Sequence, residues 1–142
     1  MTYVPASLLT AVFKHKVCMK VKIDTKQKFH AISITEPVLT ANMTAELDEC
    51  LLPFLQNDVK SIVLIVKDIN DVDDAAGEHL LKIQQTFYEQ GASFVICELQ
   101  DAVEDSLEKA GILELMNVTP TESEAWDIVQ MEEIERELLG GE

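Results

Sequence analysis

Glycine is scarce in this chain, and the positions of the few glycines exclude the common nucleotide-binding loops. Five glycines occur among 142 residues, and none has the GxGxxG or GxxxxGK spacing whose backbone amides hold phosphates. Long hydrophobic runs are also missing, because the longest, Ile62 to Val66, falls far short of the roughly 20 residues that a membrane-spanning helix needs. We therefore expect neither a phosphate-loop enzyme nor direct membrane insertion.

Basic residues are few and unevenly placed. Residues 1–30 hold six of the 11 lysines and arginines but only one of the 26 acids, so the other 112 residues carry 25 acids against five bases. Nucleic acid is excluded as a partner, because binding it requires a basic face that neutralises phosphates. The early lysines either form a local positive patch or occupy solvated strand positions, and the acidic remainder favours partners with basic surfaces.

The three cysteines, Cys18, Cys50 and Cys97, have no CxxC spacing and lie in apolar contexts. We interpret them as reduced core residues of a cytoplasmic protein rather than as disulfide partners. Residues 1–18 lack the basic start and the sustained apolar core of a secretion signal. They are predicted to be an N-terminal extension, and the residues leave open whether it is a leader, an appended segment or an upstream start.

Apolar patterning predicts the strands. Period-two alternation or short apolar runs indicate five of them, at residues 17–24, 29–34, 61–69, 93–99 and 115–119. The first strand alternates apolar and polar residues, so Ile23 should face the core, and a polar connection at residues 25–28 predicts a hairpin.

Capping signals predict four helices. The expected caps are Asn42 or Thr44 for a helix reaching about Leu55, Asp73 or Asp74 for the second, Asp101 with Glu104 for the third, and Thr121 with Glu124 for the last. The second helix has a stripe suited to burial, formed by Ala76, Leu80, Ile83 and Phe87. Gly91 and Gly111 should end the second and third helices in left-handed conformations.

The last helix is longer than a short sheet can cover. Its apolar residues are Ala125, Ile128, Val129, Met131, Ile134, Leu138 and Leu139. We expect residues 131–142 to extend this helix beyond the domain, either as a stripe for self-association or a partner helix or as a fraying end. The order β-β-α-β-α-β-α-β-α predicts one α/β domain at residues 19–130, with a mainly parallel central sheet, an initial β-hairpin and about four helices.

The turn Asp74-Ala75-Ala76-Gly77 joins the third predicted strand to the second predicted helix. A helix N-terminus has unpaired amides and a positive dipole, so such a junction is a usual place for recognition in a small α/β domain. Acids surround the turn, at Asp68, Asp71, Asp73, Asp74 and Glu78. The spacing of a calcium-binding loop fails at Val72 and Asp73. We therefore interpret these acids as helix caps and solvated charges, with a weak magnesium site as the alternative.

Candidate catalytic residues are dispersed. His15, His30 and His79 lie on three separate predicted elements, and the apolar setting of Cys97 should raise its thiol pKa and make it inert. The sequence therefore predicts no enzyme and no cofactor. Trp126 is expected to pack partly over the sheet, with an exposed partner anchor as the alternative.

The turn and the order of elements around it resemble the STAS domain, the fold of bacterial anti-sigma factor antagonists. The resemblance covers roughly residues 19–130 and is strongest over 61–99. In that family the turn reads Asp-Ser-Ser/Ala-Gly, and a partner kinase phosphorylates the first serine. The resemblance aligns Ala75 with this phosphoacceptor, and alanine has no hydroxyl. Two departures affect the partner-facing edge: residues 68–73 form a loop about two residues shorter than usual, and Thr40 stands where an aspartate often lies.

The resemblance implies a non-enzymatic regulatory module of signal transduction and transcription regulation. Its expected partner is a regulatory protein, such as a GHKL-type anti-sigma kinase or another signalling subunit, bound constitutively because Ala75 cannot change state. The predicted partner-binding residues are Asn70, Asp71, Asp73, Asp74, Ala75, Ala76, Gly77, Glu78 and Leu81. The alternative is a scaffold subunit, or an accessory subunit of a membrane transporter ATPase, that assembles through the C-terminal helix; a homodimer is also left open.

Overall fold

A five-stranded mixed sheet forms the centre of the fold. The computed structural model describes residues 20–140. The strands of this sheet are β1 Val21–Thr25, β2 His30–Ile34, β4 Ile62–Ile65, β6 Phe94–Cys97 and β7 Val118–Thr119. They lie side by side in the order β1-β2-β4-β6-β7, in which β1 is antiparallel to β2 and the other neighbours are parallel. The predicted α/β class, with a mainly parallel sheet and an initial hairpin, is confirmed.

Four helices connect and cover the strands. They are α1 Thr44–Leu51, α2 Asp74–Glu89, α3 Asp101–Lys109 and α4 Glu122–Gly140. Three short 3-10 helices adjoin them, at Ala41–Met43, Leu52–Gln56 and Leu113–Leu115. The first predicted helix therefore ends four residues early as an α-helix, because Pro53 cannot donate the amide bond that would continue it. The 3-10 helix at 113–115 likewise replaces the start of the predicted strand 115–119.

A second, two-stranded sheet has no counterpart in the sequence prediction. Its strands, β3 Val38–Leu39 and β5 Asp71–Val72, pair in parallel, with Val38 opposite Asp71 and Leu39 opposite Val72. Each strand has only two residues, too few to show a period of two. This small sheet ties the segment after β2 to the segment just before α2.

The main sheet has a separate core on each face. One face packs against α1, α2 and α3, and the buried stripe of α2 lies within it at Ala76, Leu80, Ile83 and Phe87, as predicted. The other face packs against α4, whose Ala125 and Val129 are fully buried. Residues alternate between these cores along β4, where Leu64 faces the three helices and Val63 faces α4. Its complete burial on both faces confirms the prediction of a central strand.

The first strand is more exposed than its alternation predicts. The described part of β1 begins at Val21, and Val17 and Met19 lie outside the described residues. Ile23 pairs with buried Ile32 but is itself 52% exposed, so its predicted place in the core is wrong. Because β1 has a neighbour on only one side in residues 20–140, its alternation marks an edge strand rather than a half-buried one.

Two predicted helix caps are also wrong. Met43 is the N-cap of α1, and neither Asn42 nor Thr44 caps that helix, because the Thr44 hydroxyl donates to the Ala41 carbonyl. Gln100 is the N-cap of α3, and its side chain makes no capping bond, so Asp101 and Glu104 form no capping pair. A polar side chain at a helix end can bond to the free amides of the helix or to other backbone groups nearby. The spacing of residues in the sequence does not show which of these bonds forms.

The other predicted helix ends are confirmed. The Thr121 hydroxyl accepts from the Glu124 amide at 3.2 Å and thus caps α4. Gly91 and Gly111 have φ angles of +76° and +77°, the left-handed values expected just after helices α2 and α3. Both glycines therefore stand where a side chain would be strained.

A polar network holds the middle of α4 against the start of β6. The buried Ser93 hydroxyl donates to Glu132 Oε1 at 2.5 Å and accepts from Arg136 Nη2 at 3.2 Å. Asn117 Nδ2 donates to the other Glu132 oxygen at 3.4 Å. Contact with the domain therefore continues to Arg136, two turns beyond Val129, the last fully buried apolar residue of the helix.

Candidate partner-docking site

The predicted turn lies at the carboxyl end of β4, where the chain crosses over to α2. Asn70 donates its amide to the Pro37 carbonyl at 2.7 Å, and Asp73 donates its amide to the Leu39 carbonyl at 3.0 Å. These bonds extend the small β3–β5 sheet on both sides. The loop before α2 is therefore fixed to the segment after β2, and the turn projects from a braced base.

Asp73 is the residue that joins the turn to its surroundings. Its Oδ1 accepts from the Ala76 amide at 2.9 Å, which makes it the N-cap of α2. Its Oδ2 accepts from the Ala41 amide at 3.0 Å, at the start of the 3-10 helix that leads into α1. One carboxylate thus caps two helical segments that are 32 residues apart. This decides between the two predicted caps in favour of Asp73 over Asp74.

Two of the nine predicted docking residues are buried. Ala76 is fully buried, and Gly77 packs against α3 and the segment after it. A Cβ on Gly77 would lie 2.7 Å from Leu107 Cδ2 and 3.3 Å from Ile112 Cδ1. The glycine therefore permits the close approach that its position in the motif predicts. Ala76 and Gly77 hold the turn in place and present no surface to a partner.

The remaining predicted residues form the outer surface of the turn. Those with exposed side chains are Asn70, Asp71, Asp74, Ala75 and Glu78. Asp73 is half-buried, and Leu81 is half-buried against the core. Ala75 lies in the first turn of α2 between Asp74 and Ala76, and residues 68–81 contain no serine, threonine or tyrosine. The surface therefore combines a small apolar centre with carboxylates and an amide.

Helix α1 enlarges this acidic surface. His79 Nε2 lies 2.7 Å from Asp48 Oδ1, which connects α2 to α1 beside the turn. Residues 41–49 and 68–81 together carry eight acids, with no lysine or arginine. We name these eight the acidic face: Glu46, Asp48, Glu49, Asp68, Asp71, Asp73, Asp74 and Glu78. The sequence prediction missed the link through Asp48, since only the fold brings α1 beside α2.

The other sequence candidates lie apart from the acidic face. Within residues 20–140, no three His, Cys, Asp or Glu side chains are grouped as metal ligands. His30 is buried: its Nε2 donates to the Val59 carbonyl at 2.8 Å, and its Nδ1 accepts from the Thr25 hydroxyl at 3.0 Å. Both ring nitrogens thus have hydrogen-bond partners within the domain. His15 lies outside the described residues.

The two described cysteines are free thiols with raised pKa values. Burial raises the pKa of Cys97 to about 12, with smaller contributions from the charges of Glu98 and Glu122. Burial likewise raises the pKa of Cys50 to about 11. The predicted rise of the Cys97 pKa is therefore found, and it disfavours the thiolate, which is the reactive form. Cys18 lies outside the described residues.

Trp126 is only partly covered. It is 46% exposed, and its ring centroid lies 6.4 Å from that of Phe29 at the start of β2. The two rings border a groove of about 430 Å³ beside the hairpin turn. Trp126 therefore packs partly on the domain, as expected, on the face opposite α1 and α2.

Comparison with protein families decides the classification. A model of the STAS domain matches residues 20–125. The chain belongs to the STAS domain family. This match indicates no enzyme family, and no curated protein matches the chain. In residues 20–140, none of the STAS domain's helices has the length and apolar character needed to cross a bilayer.

Several solved structures have the same fold at low identity. TM1081 from Thermotoga maritima, described as a candidate anti-sigma factor antagonist, is 16% identical with a TM-score of 0.65, over 78% of this chain and 94% of that one. The anti-sigma factor antagonist SpoIIAA, in its unphosphorylated form, is 14% identical with a TM-score of 0.61, over 78% and 96%. A chain of the stressosome, a signal integration and transduction hub, is 17% identical with a TM-score of 0.58, over 77% and 96%. STAS homologues thus take part in signalling complexes, and the likeness shows the STAS fold.

Proposed function

We propose that this STAS domain is a non-enzymatic regulatory module that binds a partner protein through the acidic face. The observation that carries the proposal is the braced turn at residues 74–78, because residues 68–81 and the α1 segment 41–49 together carry eight acids and no lysine or arginine. A surface of one charge sign selects a partner of the opposite sign. The partner is therefore a regulatory protein with a basic face, and an anti-sigma kinase of the GHKL type is the class that the similarity to anti-sigma factor antagonists suggests.

The absence of a hydroxyl at Ala75 supports constitutive binding. A phosphate at this position would add a charge near −2 to a surface that contacts the partner. Ala75 is exposed and has the size of a serine without its hydroxyl, so it preserves the unmodified shape. We take it to occupy the family's phosphoacceptor position, which fixes the domain in its binding state. The free thiols of Cys50 and Cys97 accord with a reducing, cytoplasmic setting.

The test is to identify the partner and then change Ala75. Native co-purification followed by mass spectrometry names the partner, and calorimetry with purified protein gives its affinity. Ala75→Ser should leave the dissociation constant within about twofold. Ala75→Asp should raise it by about tenfold or more, because it places a larger side chain and a carboxylate that must lose its water at the small apolar centre of the contact. Unchanged affinity for Ala75→Asp, or no specific partner, would contradict the proposal.

A charge-matched pair of variants tests the acidic face itself. Asp71→Lys/Glu78→Lys changes two exposed acids of the face, and Asp105→Lys/Glu108→Lys changes two exposed acids of α3. Both raise the net charge equally, but only the first should weaken binding. An equal loss in both would show that the partner senses total charge rather than this surface.

The alternative role is a scaffold subunit, or an accessory subunit of a membrane transporter ATPase, assembled through α4. The apolar residues exposed near the end of α4 favour it, at Met131, Ile134, Leu138 and Leu139. Deletion of residues 131–142 should then lower the assembly state in light scattering. Docking through the turn alone predicts the same assembly state before and after the deletion.

A further inference from the structure

Helix α4 has two opposite faces. Ala125, Val129, Glu132 and Arg136 point to the sheet, where the first two are buried and the last two bond to Ser93. Met131, Ile134 and Leu138 lie on the other side and are 58%, 56% and 79% exposed. Their spacings of three and four place them on one line along the helix. We name these three residues the outer stripe.

The outer stripe has the pattern of a coiled-coil seam. If Met131 takes heptad position a, then Ile134 is at d and Leu138 is at the next a. Glu135 and Glu137 then occupy e and g, the positions that flank a seam and select its partner by charge. The same numbering places the sheet-facing residues at b and f. The helix therefore packs on its own domain with one face and leaves a separate, helix-compatible face open.

Charge distinguishes among the occupants of this stripe. In a second copy, the acids Glu135 and Glu137 would lie against acids, which is destabilising. Anionic lipid would be repelled for the same reason. A helix with lysine or arginine at its own e and g positions would instead form ion pairs along both sides of the seam.

We propose that the outer stripe docks a cationic amphipathic helix of a partner protein, at a surface separate from the acidic face. The stripe spans about one and a half heptads, which is small for a permanent interface, so the binding is transient and of micromolar strength. The domain thus has two partner surfaces on opposite faces of its sheet: the turn beside α1 and α2, and the outer side of α4.

Two model peptides test this proposal with the full chain. The first has three heptads with Ile at a, Leu at d and Lys at e and g, and the second differs only in having Glu at e and g. Fluorescence anisotropy of labelled peptide should show binding of the Lys peptide and at least about tenfold weaker binding of the Glu peptide.

Variants of the exposed face separate specific docking from attraction to an acidic protein. Ile134→Ser/Leu138→Ser should weaken binding of the Lys peptide about tenfold without changing net charge. Glu135→Lys/Glu137→Lys should reverse the preference toward the Glu peptide. Glu108→Lys/Glu114→Lys makes the same charge change at exposed positions elsewhere and should leave affinity within about twofold.

Several results would overturn the proposal. One is absence of binding to the wild-type chain at about 1 mM Lys peptide, and another is equal binding by the Ile134→Ser/Leu138→Ser variant. Sedimentation of the wild-type chain as a dimer that this variant dissociates would assign the stripe to a second copy. Binding that occurs only after deletion of residues 1–19 would assign it to the chain's own N-terminal segment.

Discussion

Replacement of Asp73 by alanine should remove two hydrogen bonds that fix the candidate site. Loss of the N-cap bond to Ala76 costs about 1 kcal/mol. Loss of the bond to the Ala41 amide costs about 1 kcal/mol more. This is less than for a buried bond to a charged group, because Ala41 is exposed and water can take the place of the carboxylate. The free energy of unfolding should therefore fall by about 2 kcal/mol, which lowers the melting temperature by roughly 6 to 8 °C.

Asparagine at the same position separates the two bonds. It caps helices about as well as aspartate, but its side chain has one acceptor oxygen and can satisfy only one of the two amides. Asp73→Asn should therefore lose about half as much stability as Asp73→Ala. Asp74→Ala is the matched control, since the exposed Asp74 offers only a dipole contribution of about 0.5 kcal/mol.

Urea unfolding followed by circular dichroism measures all three variants against the wild-type chain. The reasoning is refuted if Asp73→Ala is no more destabilising than Asp74→Ala. It also fails in part if Asp73→Asn equals the wild type, because the bond to Ala41 would then contribute nothing. In a binding assay, Asp73→Ala should weaken partner binding more than Asp73→Asn does, since the alanine variant loses both bonds that hold the turn in place.

Three further predictions concern packing, ionisation and the anchor of α4. Gly77→Ala should destabilise by about 1 kcal/mol in urea, because the clash with buried Leu107 exceeds the gain in helix propensity; part should be recovered in a double variant with Leu107→Val. Because burial raises the pKa of Cys97 from 9.0 to about 12, its contribution to stability is fully present below pH 9 and falls by about 1.4 kcal/mol per pH unit between pH 9 and 12. Cys97→Val should remove this part of the fall and leave the part due to Cys50, whose pKa is raised to about 11, and an unchanged slope would contradict it. Glu132→Gln should lower the free energy of unfolding in urea by about 1 to 2 kcal/mol, because it weakens the bonds to Ser93 and Asn117, whereas Glu135→Gln, on the exposed side of α4, should change it very little. Equal losses would show that these bonds do not hold α4 on the sheet.

The spacing of apolar residues along the chain was enough to predict the buried side of α2 and the central strand β4. The burial stripe of α2 follows from spacings of three and four, and the fully apolar run of β4 marks a strand covered on both faces. Gly77 could also be predicted from its motif. Its reason, contact with Leu107 and Ile112, appears only when α3 is placed against α2.

Features that depend on contacts between distant residues could not be predicted from the sequence. The β3–β5 pair depends on a contact between residues about 33 positions apart, and two-residue strands show no periodicity. Asp48 joined the acidic face only through the packing of α1 on α2, which places its carboxylate against His79. The sequence prediction assigned the apolar residues of α4 to a single side. In the structure they lie on two opposite sides, one buried against the sheet and one exposed.

The separation of charge along the chain affects how partners arrive. Lys26 and Lys28 lie in the connection between β1 and β2, at one end of the sheet, whereas the acidic face lies at the other end, beyond the carboxyl end of β4. Such a distribution gives the domain a dipole that turns it in the field of an approaching charged protein. A basic partner would therefore meet the acidic face more often than chance allows, and its association rate would fall steeply with added salt while dissociation changed little.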